Sequence, residues 1–567
     1  MKDVLIINAT RMGDLIQTTP VIAGLKDRFQ GIRITLLVNA DFAEICKYIP
    51  SIDRLVIINI KDVIKLLNNV MLVECFNYLD NIINQVNDTC YDMVINFTHS
   101  NSSAVLTPLI NAMEVRGLTM DEEGHSFKKH PWIKYLFNVI PGRKYNPFHL
   151  CDMHLKAGGA IPYKNGLHLN VPDDMVEWAD VLLMRNNVGE NDLLIGFHVG
   201  ASAEDKRWHT RSFARLADRL AESLGAKILL TGSVSEGSYG EEFESISKTR
   251  PLNFIGKTDI KELTALIKRC DLFVSNDSGP LHIATAVGTK AINISLASVH
   301  FRETGPYGNG HYIIKADIPC SPCHFFSDCP DMVCKGVINE DNVFELTKMA
   351  MSKEELTWIE DSPLWRDVQI YRSYFDDDGL VEFKPLIKRP LTKEMLFTHI
   401  YRQTWLKILD GKDSFNVDYV SRSLIERFND WYEIESIDVR IIEEDFNALI
   451  RLNTLADMGL SRVKMIAKEV KRDNPDAGWI KEIWKDIPTI DKEIETVGYT
   501  HPPLLPLTTF FKYGKEGLEG RDIAALSEET CVLYSELKEH TMMMLNIFEH
   551  IRPVFKNLLK KEEGIWS

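Results

Sequence analysis

Apolar and polar positions alternate in blocks along the first 350 residues. Val4-Leu5-Ile6-Ile7 is a short apolar run that predicts a buried parallel strand. A polar loop with Gly13 follows, and Pro20 suits the first turn of a helix reaching about Phe29. Ile34 to Val38, Arg54 to Ile58 and Met93 to Asn96 read as further strands, the last after a long helical stretch. A second series starts near Leu193. It comprises a strand to His198, a helix from Arg211 to Leu224, a strand from Lys227 to Leu230 and a helix from Ile260 to Arg269. Strands from Leu272 to Ser275 and Ala291 to Ile294 complete it. Strand and helix in alternation imply parallel, doubly wound sheets with ligands at the carboxyl ends of the strands.

After about residue 350 the period changes. Helical spacing dominates, as in Lys393 to Leu409 closed by Gly411, and seven of the ten tryptophans lie there. The stretch from Asp341 to Glu355 is placed to be a helix that crosses back onto the first domain. Three domains are expected: 1–175 and 176–355, both Rossmann-like with a cleft between them, and 356–567, a helical extension.

Composition changes this picture little. The 567 residues are an ordinary globular mix, 45% hydrophobic and 26% charged. A net charge of −16 argues against nucleic acid held on a broad basic face. No apolar run is long enough to span a bilayer, and the N-terminus leads straight into a strand, so a cytoplasmic protein is expected. Peripheral contact with an inner membrane and homo-oligomer formation stay open.

Three loops carry candidate chemistry. The first is Thr10-Arg11-Met12-Gly13-Asp14, where Asp14 near a helix start is either a general base or a cap. The second is Ala201-Ser202 with Lys206-Arg207-Trp208 and Arg211, either a diphosphate cradle or a solvated basic helix start. The third is Asn276-Asp277-Ser278-Gly279-Pro280-Leu281-His282, between a buried strand and a helix. Backbone N–H groups at Ser278 and Gly279 suit a phosphate, and Asp277 suits a sugar hydroxyl. A fourth cluster, Cys320, Cys323, Cys329 and Cys334, puts four thiols within fifteen positions, enough for a tetrahedral metal site or for plain reduced thiols.

Together these loops resemble the heptosyltransferases of glycosyltransferase family 9. The resemblance rests on Arg11-Met12-Gly13-Asp14 with Thr18-Thr19-Pro20, Lys206-Arg207-Trp208 with Phe213, and Asn276-Asp277-Ser278-Gly279 with His282. Val94 to Ser100 is similar to the family's acceptor-side strand and loop, and the likeness covers roughly residues 1–350.

The resemblance implies a GT-B fold and transfer of a heptose from ADP-heptose with inversion. Asp14 is then the general base and Lys206 the cation on the leaving diphosphate. Ser202, Thr231, Gly232, Ser233, Asp277, Ser278, Gly279 and His282 bind the donor. Arg11, Gly13, Thr18, His99 and Ser100 face the acceptor. No cofactor is required for transfer, and the cysteines hold at most a structural zinc or iron. The acceptor stays open among lipopolysaccharide core, another glycan, a lipid-linked sugar and a protein hydroxyl. A binding or assembly role on a GT-B scaffold, or a different nucleotide sugar, is the alternative.

Overall fold

The computed structural model describes residues 1–563 except 139, 325–328, 353, 412–414 and 435–438, with the backbone alone at 439–441 and 554–563. The chain divides into two compact units, Met1–His125 with Phe148–Ile387, and Ser126–Pro147 with Lys388–Ser567.

The first unit holds two sheets. In the first, the strands run in the order Arg54–Ile58, Arg33–Asn39, Asp3–Ile7, Tyr91–Asn96, Ala112–Met120, all parallel. The central strand Asp3–Ile7 has Val4, Leu5 and Ile6 wholly buried, because a strand covered by helices on both faces must be apolar on both. In the second sheet Leu252–Asn253, Lys227–Thr231, Leu194–His198, Leu272–Asn276, Ala291–Ser295 and Tyr312–Ala316 run parallel in that order. Helix Thr210–Leu224 packs Phe213, Leu216 and Leu220 onto it beside Trp208. These are the two Rossmann-like halves of a GT-B fold.

Two expectations are corrected here. Residues 356–387, assigned above to the helical extension, instead supply strands Val368–Phe375 and Val381–Pro385, which add antiparallel to the edge beyond Tyr312–Ala316. Val368, Ile370, Val381 and Phe383 bury into the same body as the sheet. The turn between them ends in Asp378-Gly379 with Gly379 at φ +75°, a hairpin signal between two alternating runs. Helix Glu340–Met351 does not cross to the first half. It packs on Thr210–Leu224, with the Arg219 guanidinium 4.0 Å from the Phe344 ring centroid.

The second unit is helical, built on Lys393–Asp410, Val417–Trp431, Val439–Val470, Asp486–Thr500, Leu505–Glu516 and Ile523–Glu563. It also takes residues 126–147 out of the segment assigned to the N-terminal domain. Helix Pro131–Asn138 sets Tyr135 edge-on to Trp405 at 5.0 Å, and the Trp132 indole N–H donates to Asp410 at 2.9 Å. Among the described residues no helix is long and apolar enough to cross a membrane.

Candidate functional site

The cleft is built where two short polar loops meet. Strand Asp3–Ile7 ends in Asn8, whose side-chain N–H donates to the Asp14 carbonyl at 3.2 Å. Helix Met12–Ile16 then starts with Arg11 at its cap and Asp14 in its first turn. The Arg11 backbone N–H donates to Asp14 Oδ2 at 3.3 Å, which leaves Oδ1 without a hydrogen-bond partner among the described residues. The capping reading of Asp14 is thus seen in one oxygen, and the other makes no hydrogen bond among the described residues.

Opposite stands helix Gly279–Ala286. Its cap residue, Ser278, gives no side-chain bond to the helix and instead pairs Oγ to Oγ with Ser275 at 3.0 Å. The first N–H groups of that helix are thus uncapped by Ser278, the state in which a helix start attracts an anion. The two helices approach so closely that a side chain at either glycine would make a neighbour shift. A Cβ on Gly13 would lie 2.9 Å from His282 Cδ2, and one on Gly279 would lie 2.7 Å from Met12 Cε.

His282 is buried behind this contact. The Gln17 side-chain amide lies 2.9 Å from its Nε2, and burial pushes its pKa down to about 4. His282 is therefore neutral at physiological pH and joins the two halves through Gln17. His149 donates from Nε2 to the Gly305 carbonyl at 3.0 Å and accepts at Nδ1 from the Cys151 N–H, so its tautomer is fixed. Burial lowers its pKa to about 3, and the nearby His282 adds to that. His99 lies exposed on the loop after strand Tyr91–Asn96. Desolvation lowers its pKa, and the Asp14 carboxylate pulls it back up. Asp14 and His99 are thus electrostatic neighbours. Ser100 caps helix Asn101–Leu106 by accepting the Ser103 N–H at 3.2 Å.

In the second half Lys206 is half-buried, and its ammonium has no hydrogen-bond or ion-pair partner among the described residues. Of the other cations in the predicted cluster, Arg207 is engaged. Arg207 stacks 3.7 Å over Tyr239 and pairs with Glu204, and it lines a recess of about 320 Å³ with His209, Arg211 and Glu242. Ser202 is exposed on the loop before Lys206. Thr231 and Thr18 are wholly buried, their hydroxyls donating to the Phe197 and Leu15 carbonyls at 3.1 and 2.6 Å, so neither hydroxyl faces a ligand.

Three arrangements were not singled out from sequence. Asn276, at the end of its strand, accepts the Trp208 N–H at 2.9 Å and donates to the Gly200 carbonyl at 2.9 Å, tying two ligand loops together. Glu236 folds back against Gly200, where a Cβ would fall 1.6 Å from its Oε1. It accepts the Ser233 N–H at 2.6 Å and lies 3.6 Å from the buried His198. The Ser-x-x-Glu spacing of Ser233 and Glu236 is the readable trace of that bond. Gln17 had no sequence signal at all.

The four cysteines are free thiols in one neighbourhood. The Cys323 thiol is raised by burial and then by Cys320, Cys334 and Cys329. Among the described residues the one set of three ligand atoms within 4.8 Å of each other is Asp121, Glu123 and His125, so the four sulfurs are near neighbours without forming a closed shell. Residues 325–328, between Cys323 and Cys329, lie outside the described residues.

Residues 81–329 match the family model described as glycosyltransferase family 9 (heptosyltransferase). A lipooligosaccharide heptosyltransferase 2 of Campylobacter jejuni is 27% identical over 187 residues, covering 32% of this chain and 57% of the relative. A lipopolysaccharide heptosyltransferase 3 of Escherichia coli is 26% identical over 291 residues, 51% of this chain and 82% of that one. The chain thus spans little more than half the length of the Campylobacter relative. A solved family 9 glycosyl transferase from Veillonella parvula aligns with TM-score 0.50 at 21% identity, covering 62% of this chain and 97% of that one, a likeness of fold.

Proposed function

We propose, for a chain that carries a glycosyltransferase family 9 domain at residues 81–329, that it moves a heptose from ADP-heptose onto an acceptor hydroxyl with inversion. The observation that carries this is the free Asp14 oxygen in a loop that touches the start of helix Gly279–Ala286. A base and an anion-seeking helix start lie on opposite faces of one cleft, as a displacement at an anomeric carbon requires.

Asp14 takes the proton of the acceptor hydroxyl as its oxygen attacks the anomeric carbon. The bond from that carbon to the diphosphate oxygen breaks, and ADP leaves with the electron pair. The N–H groups at Gly279 and the Lys206 ammonium receive the developing charge. Burial keeps His282 neutral, so it positions Gln17 and the contact between the halves and is no acid at pH 7.

The acceptor we favour is a lipopolysaccharide or lipooligosaccharide, the class in the names of the relatives above. Incubation with ADP-heptose and candidate acceptors, read by product mass, tests both donor and acceptor. A heptose adduct on a glycan supports the reading. An adduct on protein shifts the acceptor class, and no ADP release with any acceptor leaves the scaffold reading. Tighter binding of UDP than ADP would move the donor to another nucleotide sugar.

The four thiols also fit a structural zinc or iron in number and donor type. Such an ion would hold the 320–334 loop, and no transfer step passes through it. About one zinc or iron per chain by elemental analysis, lost in Cys323→Ser, is the expected result; a metal-free and equally stable protein overturns it.

A further inference from the structure

The helical unit contains a polar recess of about 160 Å³ lined by Ser126, Lys128, Lys134, Asn138, Tyr513 and Glu516, with Gly514 and Gly517 at its back. One wall is strand Ser126–Lys129 and helix Pro131–Asn138, and the other is the end of helix Leu505–Glu516. Asn138 is 4% exposed, and its Oδ1 is buried without a hydrogen-bond partner. A buried amide left unpaired costs about 1–3 kcal/mol, so it asks for a ligand or water.

The lysines of the lining have no ion-pair partner among the described residues. The Lys128 ammonium stands 5.6 Å from the Phe137 ring and 5.2 Å from the Tyr513 ring, with no carboxylate in ion-pair reach among the described residues. Burial lowers its pKa, opposed by Glu516. Lys134 and the Ser126 and Tyr513 hydroxyls likewise have no hydrogen-bond or ion-pair partner among the described residues. Glu516 is exposed at the rim, and Glu536 lies close enough to feel Lys134. Two ammoniums against the one lining carboxylate, Glu516, favour an anion in this half-buried pocket. The amide, the hydroxyls and the aromatic face beside them favour a ring bearing hydroxyls, and the volume exceeds what a bare phosphate fills.

We propose that this recess binds a sugar carrying a phosphate group. Lys128 and Lys134 take the phosphate, while Asn138, Ser126 and Tyr513 take the ring. The same chemistry is offered by a phosphorylated sugar within a glycan and by a free sugar phosphate. The site lies wholly within the helical unit and does not depend on the transfer reaction.

Calorimetry on the full chain saturated with ADP, which occupies the donor cleft, tests it with glucose 6-phosphate, glucose and inorganic phosphate as probes. Glucose 6-phosphate should bind at least about tenfold tighter than inorganic phosphate, and glucose should give no heat. Lys128→Gln with Lys134→Gln should weaken glucose 6-phosphate at least about tenfold, and Asn138→Ala several-fold, with ADP affinity and melting temperature unchanged. Displacement of glucose 6-phosphate by a phosphorylated oligosaccharide assigns the natural ligand to a glycan, and no displacement assigns it to a free sugar phosphate. No glucose 6-phosphate binding by the parent protein, equal binding of inorganic phosphate, or binding indifferent to the lysine changes overturns the proposal.

Discussion

The cleft of the α/β unit and the recess of the helical unit are furnished with similar groups, free cations, amides and hydroxyls, but collect them in different ways. In the cleft each group sits within a few residues of a strand end: Asp14 after Asp3–Ile7, Lys206 after Leu194–His198, Ser278 after Leu272–Asn276. A parallel sheet brings its carboxyl ends together, so contiguous loops become one site. In the recess Lys128 and Tyr513 meet from positions nearly 400 apart, and no short motif records it. Polar groups on strand-end loops are legible as motifs, and groups on helix seams are legible only as packing.

The sharpest way to break this contrast is to cut just past 355, where the sequence suggests the α/β unit ends. A chain ending after Glu360 loses Val368–Phe375 and Val381–Pro385. Glu382 goes with them, and the buried Arg302 loses this carboxylate; the pair is 2.6 Å apart with side chains 2% and 1% exposed. Removing one member of a buried pair costs up to about 3–5 kcal/mol. The truncated protein should be insoluble or unable to bind ADP, and Glu382→Gln in the full chain should lower the melting temperature. A soluble, ADP-binding truncation would show that the two strands are dispensable.

Asp14→Asn keeps the shape of the loop and removes the base. Transfer should fall by about 100-fold or more, the usual scale for a lost general base, while ADP affinity changes little. Near-normal turnover in a folded variant rules out the role.

Asn276→Ala should come next. It leaves the Trp208 N–H and the Gly200 carbonyl unpaired in a buried place, at about 1–3 kcal/mol. Since the same bonds hold the loop bearing Lys206, ADP affinity should fall with stability. Loss of stability with ADP affinity intact would mean that the staple does not position the loop.

What could be read in advance follows the same division. Most strands of the two parallel sheets were legible as short apolar runs, while Ala112–Met120 and Tyr312–Ala316 were not singled out; the GT-B class, implied by the family resemblance, is borne out. The hairpin at 368–385 was hidden because its alternation is short and sits in a helical context, although Asp378-Gly379 marked it. Residues 126–147 carry Trp132 and Tyr135, apolar cargo that any domain could bury, so their home in the helical unit had no local sign. Among single residues, Asp14 and Ser278 announce themselves by neighbours, whereas the burial of the Thr231 hydroxyl and the engagement of Arg207 depend on tertiary packing.

The mildest effect compares the two units by acid. In the α/β unit burial lowers the pKa of His149 to about 3 and of His282 and His311 to about 4; in the helical unit it lowers His540 to about 3. Each folded value lies below the unfolded one, about 6.5. Below pH 6.5 the unfolded chain takes up protons that these folded imidazoles refuse. Their contribution is therefore complete above about pH 6.5 and is lost as pH falls toward the folded values. The slope is about 1.4 kcal/mol per pH unit for each such group, and it is steeper for the α/β unit, where His154 and His198 are lowered by burial as well. Hydrogen exchange followed by mass spectrometry at pH 7 and pH 5, corrected for intrinsic rates, should show protection falling first in the sheets beside the cleft, with helices Lys393–Asp410 and Ile523–Glu563 holding longer. Earlier loss in the helices would mean that acid acts through carboxylate pairs rather than through these buried histidines.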